Sequence, residues 1–211
     1  MQAMATARKR TAPKAERQLQ LIQATIRSVA KYGLSDTTMS TVAGEAGLSQ
    51  GIINLHFQSK ERLLVETLRY LADEYTHSWQ KALAAAGDSP ADRLAARVAA
   101  DFRPPISDRN KLAVWFAFWG ESKSRPTYRK ICADSDQADR AEITSLCNAI
   151  GERCDSRADP ATVAASLSAM TSGLWLELLT RPRSLSRDQA RGICMSYLAT
   201  VYPGQFPEAA A

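Results

Sequence analysis

Histidine is nearly absent from this 211-residue chain: His56 and His77 are the only two. They have no metal-ligand spacing with each other or with the cysteines, and they leave little for acid–base catalysis. Cysteine is also sparse. Cys132, Cys147, Cys154 and Cys194 form no CxxC pair, which suits reduced thiols in a cytoplasm better than a disulfide framework. Cys147 and Cys154 share a helix face, but a pair without a third ligand is weak ground for a metal. No uninterrupted apolar run approaches the roughly 18 residues that cross a bilayer. The opening MQAMATARKRTAPK is basic with no apolar segment after its charges, so neither a secretory leader nor a membrane partner is expected. Phosphate loops, nucleophile–base pairs and internal repeats are missing too. A helical enzyme is therefore the weaker reading, and no cofactor is expected.

What is present is charge in one place. Residues 1–62 hold nine Lys/Arg and four Asp/Glu, while the remainder holds 18 of each sign. The whole excess of +5 lies in the first third. A basic segment ahead of a neutral body suggests a polyanion-binding module, and a solvated tail is the plainer alternative.

No segment shows sustained period-2 alternation, so the fold class is all-α. Leu21, Ile22, Ile26, Val29 and Ala30 give a first helix from about Lys14 to Tyr32, stopped at Gly33. Thr37 or Thr38 caps a short second helix ending at Gly47. Ser49 opens a third, and Ser59 caps a long fourth running toward Ala86. GDSP at 87–90 is the clearest break. Further helices are expected at about 90–103, 108–122, 126–153, 160–180 and 186–202, punctuated by prolines.

The third helix is too short to be stable alone. Joined to the second around Gly47, it makes a helix-turn-helix. Ile53 and Phe57 are i, i+4 and pack inward, leaving Gln50, Gly51, Ile52, Asn54, Leu55 and His56 outward or marginal. Two turns suffice to place N-terminal residues in a major groove. An outward Ile52 makes sense beside a thymine methyl. A helical hairpin within a bundle is the plainer alternative.

The stretch TTMSTVAGEAGLSQGIINLHFQSKERLL resembles the DNA-binding domain of the tetracycline-repressor (TetR) family. The resemblance rests on Val42-Ala43, Ala46-Gly47-Leu48-Ser49, Gly51, His56-Phe57 and Ser59-Lys60-Glu61 at fixed spacing. It implies a homodimer with an N-terminal three-helix DNA-binding domain and a C-terminal helical domain for effector and dimerisation. Its expected divisions are a disordered basic arm (1–14), the DNA-binding domain (15–62), the effector domain (63–203) and a disordered tail (204–211). It further implies that Thr38, Ser40, Gln50, Gly51 and Ile52 approach the groove and that Asn54, His56 and Lys60 touch phosphates. The family commonly has Tyr at the position of Asn54, which reaches less far.

GIINLHF, LAVWFAFWGESKSRPTYRK and SGLWLELL are similar to the choline-responsive repressors of that family. Physically, Trp115 and Trp119 share a helix face with Phe116 adjacent, and Trp175 sits on a later helix. Aromatic faces attract a quaternary ammonium, and Glu121, Glu177 and Asp101 are candidate carboxylates beside them. An aromatic stripe at helical spacing also serves simply as core. The expected partners are a palindromic DNA operator, a small-molecule effector and a second copy of the chain. Its seam is expected along the apolar faces at 160–202 (Val163, Leu167, Met170, Leu174; Ile193, Tyr197, Leu198, Val201).

Overall fold

The computed structural model describes residues 13–154 and 156–207. Among them the chain forms nine helices and no strand: α1 (Lys14–Asp36), α2 (Met39–Ala46), α3 (Gln50–Phe57), α4 (Lys60–Ala85), α5 (Pro90–Asp101), α6 (Arg109–Glu121), α7 (Pro126–Cys154), α8 (Pro160–Thr180) and α9 (Arg187–Val201).

Local chemistry sets most of these boundaries. Thr38 and Thr41 form a reciprocal capping box at the start of α2, and Ser186 with Gln189 does the same for α9. Ser59, Ser89, Asp108 and Asp159 each accept a backbone N–H at the start of α4, α5, α6 and α8, satisfying donors that a helix start leaves free. Gly47 takes φ 65°, the left-handed conformation that closes α2 and turns the chain into α3. Ser49 holds the N-cap position of α3, but its hydroxyl makes no capping bond.

Two boundaries differ from the sequence-based expectation. Gly33 does break α1, at φ 79° and ψ 170°, yet Leu34–Asp36 add a further turn. That turn is held by Lys60, whose Nζ donates to the carbonyls of Leu34 (3.0 Å) and Ser35 (3.1 Å). At the other end, order does not stop at residue 203. Phe206 is buried against Tyr202, with ring centroids 6.5 Å apart. Only residues 208–211 of the expected tail, and 1–12 of the expected arm, fall outside the described residues.

Three clusters of buried side chains hold the molecule. Leu21, Ala24, Val42, Ala43, Ile53, Phe57 and Leu63 form a small core for α1–α3 and the start of α4. A second cluster joins α1 to the rest, with Ile26 and Val29 against Leu64, Leu68, Val114, Phe118 and Tyr128. The third and largest is built from α4–α9. The single helix α4 runs through all three, so the expected division at residue 62 falls inside a continuous helix.

By length and composition α8 is apolar enough to cross a membrane, and 28% of that window is buried. No uninterrupted run had signalled this, because serines and threonines dilute it. The seam residues split differently from the sequence-based grouping. Val163, Leu167 and Leu198 point into the body's own core. Leu176 and Ile193 are the large apolar side chains of α8 and α9 that remain exposed.

Candidate DNA-reading head and effector cavity

The helix-turn-helix is built from its buried side outward. Ile53 and Phe57 are buried, which fixes the face that α3 turns away from the core. Gln50, Gly51, Asn54 and Leu55 lie exposed on that face, while Ile52 is half-buried. Thr38 and Ser40 are exposed at the start of α2. Leu55 was expected outward or at the margin but was not counted among the DNA contacts. At 75% exposure it is the most open large hydrophobic side chain described, and its unfavourable exposure was visible from its spacing relative to Ile53 and Phe57.

The structure gives two expected phosphate contacts other surroundings. Lys60 spends its ammonium on the carbonyls that close α1. His56 is half-buried, and its Nδ1 is sealed from solvent without a hydrogen-bond partner.

In the body, α4–α8 enclose a cavity of ≈ 360 Å³. Trp115 and Trp119 from α6 and Trp175 from α8 line it together, with Tyr75 from α4. The Trp119 and Trp175 rings are nearly parallel, 14° apart with centroids 6.4 Å from each other. Trp115 lies 5.9 Å from Trp119, and Tyr75 stands edge-on to Trp175 at 5.9 Å. Trp175 Nε1 donates to the carbonyl of Asp101 at 2.9 Å, which fixes the indole in place.

Three of the expected ligand residues are not in the cavity wall. Phe116 packs edge-on behind Trp119 at 5.1 Å and supports it from outside. Glu121 pairs with Arg125 at 3.3 Å, and Glu177 pairs with Arg181 at 3.3 Å. The reason is helical geometry. Each Glu follows a cavity tryptophan by two residues, a rotation of about 200°, and so faces the opposite way.

The carboxylates that do line the cavity are Asp101, Asp136 and Asp139. Asp101 and Asp139 flank the fully buried Arg97. Arg97 donates from Nη1 to Asp101 (2.6 Å), from Nε and Nη2 to Asp139, and from Nη2 to the Tyr75 hydroxyl (2.5 Å). Burial opposes the Arg97 charge, but Asp101, Tyr75 and Asp139 outweigh it and hold the guanidinium protonated. Burial pushes the Asp101 carboxyl up to about 6, against the pull of Arg97 and with a further push from Asp139. Asp136 is also raised, by burial and by Asp139, with Arg140 opposing. Tyr75, Arg97, Asp136 and Asp139 were not anticipated as cavity residues. Only the Arg97–Asp101 pair left a trace in the sequence, as opposite charges four apart on an otherwise apolar helix face. No cluster of three or more His, Cys, Asp or Glu fit to hold a metal occurs among the described residues.

A helix-turn-helix head joined by a continuous helix to an all-helical body is the architecture of a DNA-binding transcriptional regulator. Residues 21–67 match the model of the tetR family of bacterial regulatory proteins, and residues 90–203 match the C-terminal domain of BetI-type transcriptional repressors. The chain belongs to the TetR family, with a BetI-type C-terminal domain. It is 32% identical to the HTH-type transcriptional regulator BetI of Serratia proteamaculans over 90% of this chain and 95% of that protein. It is 30% identical to BetI 1 of Chromohalobacter salexigens over 86% and 88%. Among solved structures, a transcriptional regulator from Pseudomonas aeruginosa PAO1 superposes with a TM-score of 0.80 at 27% identity, covering 92% of this chain and 93% of that one. A regulator from Saccharomonospora viridis, solved in complex with choline, shares the fold with a TM-score of 0.77 at 24% identity, over 87% and 96%. The family assigns the chain to DNA-binding transcription regulation rather than to enzymes.

Proposed function

We propose that the protein is a homodimeric repressor, acting in the cytoplasm on a palindromic operator, whose grip on DNA is modulated by a quaternary ammonium compound such as choline. The observation that carries this reading is the cavity itself: three indoles and a phenol surround one space whose wall holds more carboxylates than cations. A quaternary ammonium cannot donate a hydrogen bond from its nitrogen, so aromatic faces serve it better than polar atoms. Each such contact is worth about 0.5–2 kcal/mol. An uncharged lipophile, the rival effector, would cover Arg97, Asp101 and Asp139 without balancing their charge. The choline bound to the Saccharomonospora viridis regulator lends the reading support.

Coupling to DNA runs through α4 and α6. Tyr75 in the cavity and Leu64 beside the head lie on the same α4. In α6, Trp115 and Trp119 face the ligand space, while Val114 and Phe118 pack on Ile26 and Val29 of α1. A ligand that repositions α6 therefore moves the head.

Dimerisation through α8 and α9 gives Leu176 and Ile193 a cover. Ile193→Glu should leave a monomer in sedimentation, since burying an unpaired carboxylate in an apolar seam is costly. The direct test is fluorescence anisotropy on operator fragments selected from genomic DNA. Choline should shift the operator affinity while leaving the weak affinity for random DNA unchanged. An operator curve that no quaternary ammonium moves would remove this reading.

A further inference from the structure

We infer that the cavity holds its ligand at two points, an onium head among Trp115, Trp119 and Trp175 and a hydrogen-bond-donating tail at Asp101, and so rejects an ammonium whose tail is a carboxylate. This inference rests on the quaternary-ammonium reading and sharpens it.

Asp101 ends α5, is 4% exposed and lines the cavity. Its two carboxylate oxygens are unequally occupied. Oδ1 accepts from Arg97 at 2.6 Å. Oδ2 has only the Thr171 hydroxyl, at 3.5 Å, the outer limit of a hydrogen bond. A carboxylate oxygen accepts two donors, so Oδ2 of this buried residue has capacity to spare. Trp175 donates to the backbone oxygen of the same residue. The ring that receives the onium head and the oxygen that receives the tail are thus held on adjoining walls by one hydrogen bond.

The charge of the wall sets the sign of the tail. Arg97 is the buried cation there, and each of its three nitrogens already donates to Asp101, Asp139 or Tyr75. It has no free fork for a ligand carboxylate. The buried Asp101 and Asp139 outnumber it, and the exposed Asp136 and Arg140 at the rim offset each other. A ligand carboxylate would add a third negative charge beside the buried Asp101 and Asp139, whereas a hydroxyl would supply the missing donor.

Calorimetry on the intact protein with four probes tests this. Choline carries head and donor, its O-methyl ether keeps the head without the donor, tetramethylammonium is the head alone, and trimethylglycine carries a carboxylate tail. Choline should bind on the order of tenfold more tightly than its methyl ether, as expected for a hydrogen bond to a charged acceptor. Trimethylglycine should be no tighter than tetramethylammonium. Asp101→Asn, checked for folding by its melting curve, should narrow the ratio of choline to trimethylglycine on the order of tenfold. Equal binding of choline and its ether, or trimethylglycine matching choline, would overturn the tail site while leaving the aromatic site standing. If none of the four bound, the quaternary-ammonium reading would fall and this inference with it. Should Asp101→Asn not fold, the four-probe series on the parent protein decides alone.

Discussion

Two eight-residue helices, α2 and α3, carry the head's chemistry on one outer face. The body needs five helices, α4–α8, to enclose its cavity. The contrast extends to the contacts that build each. The head is fixed by short-range features, Thr38 with Thr41 and Ile53 with Phe57. The cavity is fixed by pairs far apart in the chain, Arg97 with Asp139 at a separation of 42 and Trp175 with Asp101 at 74. A surface that touches a polyanion can be written along one helix. A cavity lined from five helices has to be assembled.

The sharpest way to break this contrast is to remove a centre of the long-range network. Arg97→Leu leaves Asp101 and Asp139 buried without their cation, and breaking a buried ion pair from one side costs about 3–5 kcal/mol. Urea denaturation should show a loss of that size, because the body's fold depends on the same residue as its cavity. On the head, Gln50→Ala should leave the denaturation midpoint nearly unchanged. It should relax base preference at one operator position by about 1–3 kcal/mol, read from binding to a set of single-base variants.

pH separates the two regions in another way. The folded Asp101 carboxyl sits at about 6, above its ordinary 3.8. For a raised carboxyl the folded state carries the full cost of the charge above pH 6. It takes up the proton first as the pH falls, so the cost is relieved between about 6 and 4. Arg97, Tyr75, Asp139, Cys194 and Thr171 surround the group. The parent should therefore gain stability relative to Asp101→Asn as the pH falls from 7 to 5, read from paired denaturation curves. A difference constant over that range would contradict the assignment. The smallest effect is expected at Arg125, which joins the α6–α7 turn to Glu61 on the head at 2.8 Å. Both side chains are about half exposed, so Arg125→Ala should cost less than about 1 kcal/mol in melting experiments. A larger loss would make this bridge a principal link between head and body.

The same contrast explains what could be read in the sequence. Helix ends were legible wherever a capping residue or proline marks them, as at Ser59, Ser89-Pro90, Asp159-Pro160 and Ser186. The turn after Gly33 was not, because its partner is Lys60, 25 residues on. Outward residues of α3 followed from the i, i+4 spacing of Ile53 and Phe57. The partners of single side chains did not, which is why Lys60 looked free for phosphate although its ammonium holds the carbonyls of Leu34 and Ser35. In the body, spacing put Trp115 and Trp119 on one helix face, the resemblance joined Trp175 to them, and Asp101 was one of three candidate carboxylates. Spacing could not bring in Tyr75, Arg97, Asp136 and Asp139, which meet only when α4, α5 and α7 pack. Glu121 and Glu177 were near the tryptophans in sequence and turned away in space.

The central claim is that the body's aromatic walls recognise positive charge rather than apolar bulk. The direct measurement is a calorimetric comparison of choline with 3,3-dimethylbutan-1-ol, which replaces the nitrogen by carbon at the same shape, on the parent protein and on Trp119→Leu. The parent should prefer the cation, and Trp119→Leu, which keeps much of the apolar volume but loses the ring quadrupole, should narrow that preference by about 0.5–2 kcal/mol. A neutral isostere that binds the parent as tightly as choline would contradict it.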